Sequence, residues 1–223
     1  MSLNQHKSDV YQSYQAWSNI YDAQENPTRD CSTAVLKTIL PELTNLFVVE
    51  AGCGTGWNSV WLSPKCHRLI GLDFSENMLA LAKEKVNQPN VELKVHNLLL
   101  PWPVEHAWAD LILINLVIEH IENLAILLYN AAQVMKLGSQ LVITEYHPER
   151  VKRGAGAEFN QDDEGITEII NYWHPLEHYE EAGLQAGLHI KEVKTWHKEL
   201  DKDQQPVETA VNPLLPSVTM VKI

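Results

Sequence analysis

The sequence predicts one α/β domain wound around a mostly parallel sheet, with helices on both faces. Three observations carry that prediction. Seven apolar runs of strand length recur along the 223 residues, segments of helical period lie between them, and a glycine-rich turn follows the first run. Alternating strands and helices are the sequence form of a doubly wound parallel sheet. A single core can grow to about 250–300 residues before a chain splits, so one domain suffices. A hydrophobic fraction of 45% with seven tryptophans can fill that core, while 21% charged residues solvate the outside.

The elements follow in order. TAVLKTIL (33–40) has helical period and precedes the first strand, LFVVEA (46–51). RLIGLD (68–73) is the second strand, and ENMLALAKEKV (76–86) the helix after it, with Ser75 placed to cap its N-terminus. VELKVHN (91–97) and ADLILINL (109–116) are the third and fourth strands. ENLAILLYNAAQVMK (122–136) is the next helix, with Gly138 where a C-terminal glycine would stop it. QLVITEY (140–146) is the fifth strand. These five strands are rich in Val, Ile and Leu on both alternations, as strands covered on two faces must be. HPLEHYEEAGLQAG (174–187) forms a helix with Pro175 in its first turn and Gly187 past its end. HIKEVKTW (189–196) and SVTMVKI (217–223) alternate more and read as edge strands, joined antiparallel across the polar stretch 197–216. Residues 147–173 break the rhythm, and long insertions in compact domains often carry function.

Charge and cysteines exclude several classes of partner. The formal charge is −12, with only the small cluster Arg150, Lys152 and Arg153 against it; a phosphate backbone would be repelled, which argues against nucleic acid. Three cysteines without a CxxC pair fit a reducing, cytoplasmic compartment. The first residues lack a basic region followed by an apolar one, and the longest apolar run, LILINLVI, is too short to span a bilayer, so no membrane association is expected.

The turn after the first strand reads EAGCGTG, with Glu50 followed by Gly52, Gly54 and Gly56. Bare backbone N–H groups between a strand and a helix form a nucleotide-type cradle. The dinucleotide fingerprint is G-x-G-x-x-G, whereas these glycines are spaced G-x-G-x-G. Glu50 matters more: a carboxylate about 5 Å from a pyrophosphate costs roughly 3 kcal/mol at an effective dielectric near 20. S-adenosylmethionine, which carries an ammonium and a sulfonium, would instead be attracted. Asp73 ends the second strand and suits a bidentate grip on ribose hydroxyls, a device that NAD proteins share. Phe74 and Met78 would flank an adenine, or simply pack in the core at helical spacing.

EAGCGTG, LIGLDFSENMLALAK and LINLVIEHI, followed by MKLGSQLVITE, resemble in order the motifs of class I, Rossmann-like, S-adenosylmethionine-dependent methyltransferases, above all the group that includes the ubiquinone and menaquinone biosynthesis enzymes. The resemblance covers about residues 10–196. It implies a seven-stranded sheet of order 3-2-1-4-5-7-6 with the last strand antiparallel. It also implies a helical lead-in and lid over 1–45, a cofactor core over 46–146, an insertion and helix on the acceptor side over 147–188, and a C-terminal hairpin over 189–223. Glu50, Gly52, Gly54 and Gly56 would form the cofactor loop and Asp73 would take the ribose. Asn97 stands where the family offers an acid to the adenine amino group, Leu98 would present its backbone N–H to the adenine edge, and Asn115 would lie beside the methionine part. The N-terminal helix would lay Tyr14 and Tyr21 over the cofactor, shedding water before transfer.

On the acceptor side, in-line methyl transfer depends chiefly on alignment, worth about 7–11 kcal/mol, against roughly 3–5 for a general base. His120 and Glu119 in LVIEHIEN rank first as a base, then His147; ordinary structural hydrogen bonding is the alternative for each. His174, Glu177 and His178 spell H-x-x-E-H, but late in a cofactor-binding domain this reads as a helical face or acceptor wall, and no metal site is expected. The fourth strand ends NLVIEH, without the Asn-Pro-Pro-aromatic loop of enzymes that methylate adenine or amides. The expected activity is S-adenosylmethionine-dependent methylation of an O or N of a small metabolite. The rival readings are a protein or peptide N-methyltransferase and a non-catalytic S-adenosylmethionine-binding subunit, with an oxidoreductase last. The sequence leaves the oligomeric state open.

Overall fold

The computed structural model describes residues 3–160, 166–201 and 203–223. Two helices, α1 (Leu3–Tyr21) and α2 (Pro27–Ile39), precede β1 (Phe47–Ala51), α3 (Ser59–Leu62), β2 (Arg68–Asp73) and α4 (Glu76–Lys85). β3 (Val91–Val95) and β4 (Ala109–Asn115) follow, then a 3₁₀ turn (Ile118–His120), α5 (Leu124–Val134) and β5 (Met135–Thr144). The remainder is α6 (Pro148–Lys152), β6 (Glu158–Asn160), β7 (Ile166–Glu168), α7 (Leu176–Gln185), β8 (Leu188–Leu200), β9 (Pro206–Glu208) and β10 (Leu215–Lys222).

The main sheet has eight strands in the order β3-β2-β1-β4-β5-β10-β8-β9, which corrects the expected seven. β1 lies parallel between β2 and β4, with Glu50 opposite Gly71 on one side and Leu113 on the other. β10 runs antiparallel to both β5 and β8. The added strand, β9, is three residues of the polar connection, paired antiparallel with the far end of the 13-residue β8. No hydrophobic periodicity announces so short a polar strand; β8 recruits it by extending beyond the reach of β10. A second expectation also fails: α5 ends at Val134, and Met135 and Lys136 open β5 instead of closing the helix. Gly138, with φ 77°, therefore lies inside β5, where the pairing with β4 shifts register.

The strands are apolar on both alternations because each face is covered. Val49, Ala51, Ile112, Ile114, Leu141 and Ile143 pack with Leu127, Leu128 and Ala131 of α5 and Tyr179 of α7. The intervening Val48, Leu69, Leu111, Leu113 and Val142 pack with Leu36 of α2 and Leu62 of α3. Each such buried side chain contributes about 1.5–3 kcal/mol. Three helices, α2, α4 and α5, start on side-chain caps: Asn26, Ser75 and Asn123 accept from the backbone N–H groups of Arg29, Met78 and Ile126. A third cluster roofs the carboxyl ends of the strands. There Val10 and Trp17 of α1 meet Met78 of α4 and Ala157 and Ile169 of the insertion, with Tyr14, Tyr21, Phe74 and Ile170 packed around them. Residues 161–165 of the insertion lie outside the described residues.

Candidate active site

The glycine turn is held against β2. Gly52 and Cys53 donate to the carbonyl of Leu72 at 2.7 and 3.1 Å, and Gly54 N–H donates to Asp73 Oδ2 at 2.8 Å. The three glycines serve different ends. At Gly52, with φ 77°, a Cβ would stand 2.3 Å from Cγ2 of Val117, so the turn passes directly beneath the loop after β4. At Gly54, with φ 52°, a Cβ would meet nothing within 4 Å, because that backbone faces open space. Gly56 closes the turn instead by packing on Ala82 and Val86 at the end of α4, and it does not line the cavity described next.

A cavity of about 800 Å³ opens at the carboxyl ends of β1, β2 and β4. Glu50, Gly52, Gly54, Asp73 and Asn115 form its floor, Phe74, Met78, Asn97 and Leu98 one wall, and Tyr14 and Tyr21 of α1 its cover. Phe74 and Met78 belong to the roof cluster and also line the cavity. Asn97 and Asn115 have prior engagements: Oδ1 of Asn97 accepts the Leu99 N–H at 3.0 Å, and Oδ1 of Asn115 accepts the Thr144 hydroxyl.

Two carboxyls dominate the electrostatics. Glu50 is 2% exposed, and its partners, the Ser59 hydroxyl and the Asn58 side chain, are both neutral. Burial pushes its pKa up to about 8. Asp73 is pushed up to about 6, also by burial, even though its oxygens accept the N–H groups of Gly54 and Ser75. With Phe74 N–H also directed at this carboxylate, its remaining lone-pair capacity is what a ligand hydroxyl can use.

Sequence reading missed Arg29, which is 4% exposed and lines the same cavity. Its guanidinium lies 3.8 Å from the centroid of the Trp57 ring and donates to the carbonyl of Tyr21 at 2.9 Å, tying the α1–α2 corner to the wall. One signal was available: Arg29 stands in the first turns of a helix, where a cation opposes the helix dipole and so needs another reason.

On the other side, His120 joins three segments. Its Nδ1–H donates to the carbonyl of Ile170 at 3.1 Å, which leaves Nε2 as acceptor for the Tyr14 hydroxyl at 2.8 Å. Burial lowers its pKa to about 4, so the ring is neutral. Glu119 Oε1 lies 3.6 Å from Nε2, but Glu119 is 2% exposed and does not line the cavity. Its burial, and the neighbouring Glu145, raise its pKa well above the usual carboxylate range. His147 stands apart from the cavity and caps α6, Nδ1 accepting the Glu149 N–H at 3.3 Å. Nε2–H of His174 donates to the carbonyl of Ile121 at 2.6 Å, and its ring lies 5.9 Å from that of His178.

Residues 49–143 match the family model described as a methyltransferase domain. That stretch, from β1 into β5, has the doubly wound α/β architecture and is similar to methyltransferase domains. The chain is 30% identical over 178 residues to an uncharacterized methyltransferase of Emericella nidulans, covering 63% of this chain and 62% of the relative. It is 30% identical over 105 residues to the demethylmenaquinone methyltransferase of Tropheryma whipplei, covering 46% of this chain and 43% of that one. The chain thus spans less than two thirds of the length of either relative. Among solved structures, DhpI in its SAH complex superposes with a TM-score of 0.73 at 18% identity, covering 100% of this chain and 98% of that one. Among the described residues, no helix is long and apolar enough to cross a membrane.

Proposed function

We propose that this protein is an S-adenosylmethionine-dependent methyltransferase acting on an oxygen or nitrogen of a small molecule. The observation that carries the reading is the buried, neutrally partnered Glu50 sharing one cavity with the open backbone of Gly54 and the cation of Arg29. A carboxylate held there stabilises an ammonium, a guanidinium on the wall suits the single carboxylate of an amino acid, and Asp73 retains lone pairs for ribose hydroxyls. These are the charges and hydroxyls of S-adenosylmethionine, whose ammonium draws Glu50 into its ionised form, whereas a pyrophosphate would leave it protonated and gain no charge partner there.

Bound there, S-adenosylmethionine supplies a methyl carbon activated by its sulfonium. The chain's own groups supply position and a proton path. Tyr14 and His120 meet at 2.8 Å in the cavity wall, so an acceptor O–H or N–H can pass its proton to the tyrosine oxygen while Tyr14 gives its own to Nε2. A base held near 4 suits an acceptor oxygen, which becomes strongly acidic as it bonds to the methyl. The roof of α1 and the insertion, closed over His120, favours a small acceptor over a macromolecular one.

Thermal shift and calorimetry with S-adenosylmethionine, S-adenosylhomocysteine and NAD decide the cofactor. Either sulfur ligand at about 100 times its Kd should add about 2.7 kcal/mol, or roughly 5–10 °C for a chain of this size. Stabilisation by NAD alone overturns the proposal. Methyl transfer to panels of small hydroxyl and amine compounds, with basic peptides alongside, decides the acceptor class. Transfer only to peptides supports protein N-methylation, and binding without transfer supports a non-catalytic subunit.

A further inference from the structure

We infer that Glu145, at the end of β5 and outside the cavity wall, is the positioning residue that fixes the loop carrying His120. This rests on the reading of His120 as the acceptor-side base. Oε2 of Glu145 accepts the backbone N–H groups of Val117, Ile118 and Glu119 at 2.9, 2.7 and 3.3 Å, and Oε1 accepts that of Tyr146 at 2.8 Å. The residue is 3% exposed. Four donors on one buried carboxylate make a clamp that no neutral side chain reproduces, since an amide has only one accepting atom.

The clamped loop needs holding. Leu116 has φ 54°, a left-handed backbone that a leucine keeps only when its surroundings impose it. Leu116 N–H donates to the carbonyl of Thr144 at 2.9 Å, and the Thr144 hydroxyl donates to Asn115. The end of β5 therefore grips five consecutive residues, 115 to 119, and His120 follows directly. Its ring then reaches Tyr14 on one side and the Ile170 carbonyl on the other. Titratable groups that interact with Glu145 are Glu119 from the same turn, Tyr179 from α7 and Tyr14 from α1. Burial pushes Glu145 up to about 7, so its clamp tightens as pH rises through neutrality.

The test combines Glu145→Gln and Glu145→Asp. Gln cannot serve both sets of donors, and Asp keeps the charge but is one methylene short. In each, kcat should fall at least tenfold while Kd for S-adenosylhomocysteine stays within threefold, and the ¹⁵N resonances of the His120 ring should move as its contact with Tyr14 is lost. Unmoved ring resonances, or cofactor affinity falling in step with kcat, overturn the inference. In the unaltered chain, the His120 ring resonances should also shift as the buried Glu145 and Glu119 pair ionises, above the usual carboxylate range and above the titration of His120 itself. Ring resonances that stay flat from the His120 titration up to pH 9 overturn it too, and this arm decides even where a variant does not fold. Should the protein transfer no methyl group at all, the functional reading fails while the resonances still judge Glu145.

Discussion

A buried acid with only neutral partners pays for its place through its protonation state, and Glu50 is the residue where this can be read most directly. With its pKa at about 8 it is largely protonated at neutral pH in the ligand-free protein, and a cationic ligand must draw it into the ionised form. Cofactor affinity should therefore rise between pH 6 and 8. Glu50→Gln keeps the shape and removes the charge, so affinity for S-adenosylhomocysteine should fall by about 1.5–3 kcal/mol, the worth of a hydrogen bond to a charged group. Calorimetry at pH 6 and 8 checks both statements, and the variant should lose the pH dependence along with the affinity. Tyr14→Phe tests the other side of the cavity. Removing the hydroxyl leaves Nε2 of His120 without its 2.8 Å donor, so kcat should drop about 10²–10⁴-fold if the pair carries the proton, with little change in cofactor binding.

At the scale of elements, the glycine turn separates steric from ligand effects. Gly52→Ala drives a Cβ into Val117 at 2.3 Å and should both lower the melting midpoint and abolish cofactor binding. Gly54→Ala meets no protein atom within 4 Å, so it should cost about 1 kcal/mol of stability for the left-handed backbone while still cutting affinity, because the methyl stands where a ligand would lie. Equal stability losses in the two variants would show that Gly54 does not face the ligand. The same turn marks what sequence could yield. Gly52, Glu50 and Asp73 were legible because strand ends and glycine spacing are local patterns, and the strands because burial on two faces leaves both alternations apolar. The separate place of Gly56 was not legible, since the spacing of three glycines cannot tell a turn open to the cavity from one packed on Ala82. Arg29 and Glu145 were missed altogether. One reaches the cavity from a helix that precedes the sheet, and the other acts through backbone donors of a loop 26 to 28 residues away, so neither leaves a periodic trace. β9 was invisible because its pairing is dictated by the length of β8.

The whole molecule carries these local charges into its stability. Glu50, Asp73 and Glu145 titrate near 8, 6 and 7 in the folded chain, whereas unfolded carboxyls ionise near their ordinary values close to 4. Between those limits the folded state holds more protons than the unfolded one, so each group withdraws stability as pH rises, by up to about 1.4 kcal/mol per pH unit. His120 acts in the opposite sense: its folded pKa, about 4, lies below the unfolded value of 6.5, so it adds stability as pH rises, but only within that window. Above pH 6.5 the carboxyls act unopposed, and the growing repulsion of a chain of net charge −12 has the same sign. The melting midpoint of the ligand-free protein should thus fall from pH 6.5 to 8. Saturating S-adenosylhomocysteine should flatten the slope, because its ammonium holds Glu50 ionised throughout, and Glu50→Gln should flatten it without ligand. Scanning calorimetry across that range on the three samples separates the buried carboxyl from surface charge, which all three share. A midpoint that rises with pH in the ligand-free protein, or a slope unchanged by Glu50→Gln, would mean that Glu50 is already ionised in its site and that the cavity selects its ligand by shape instead of charge.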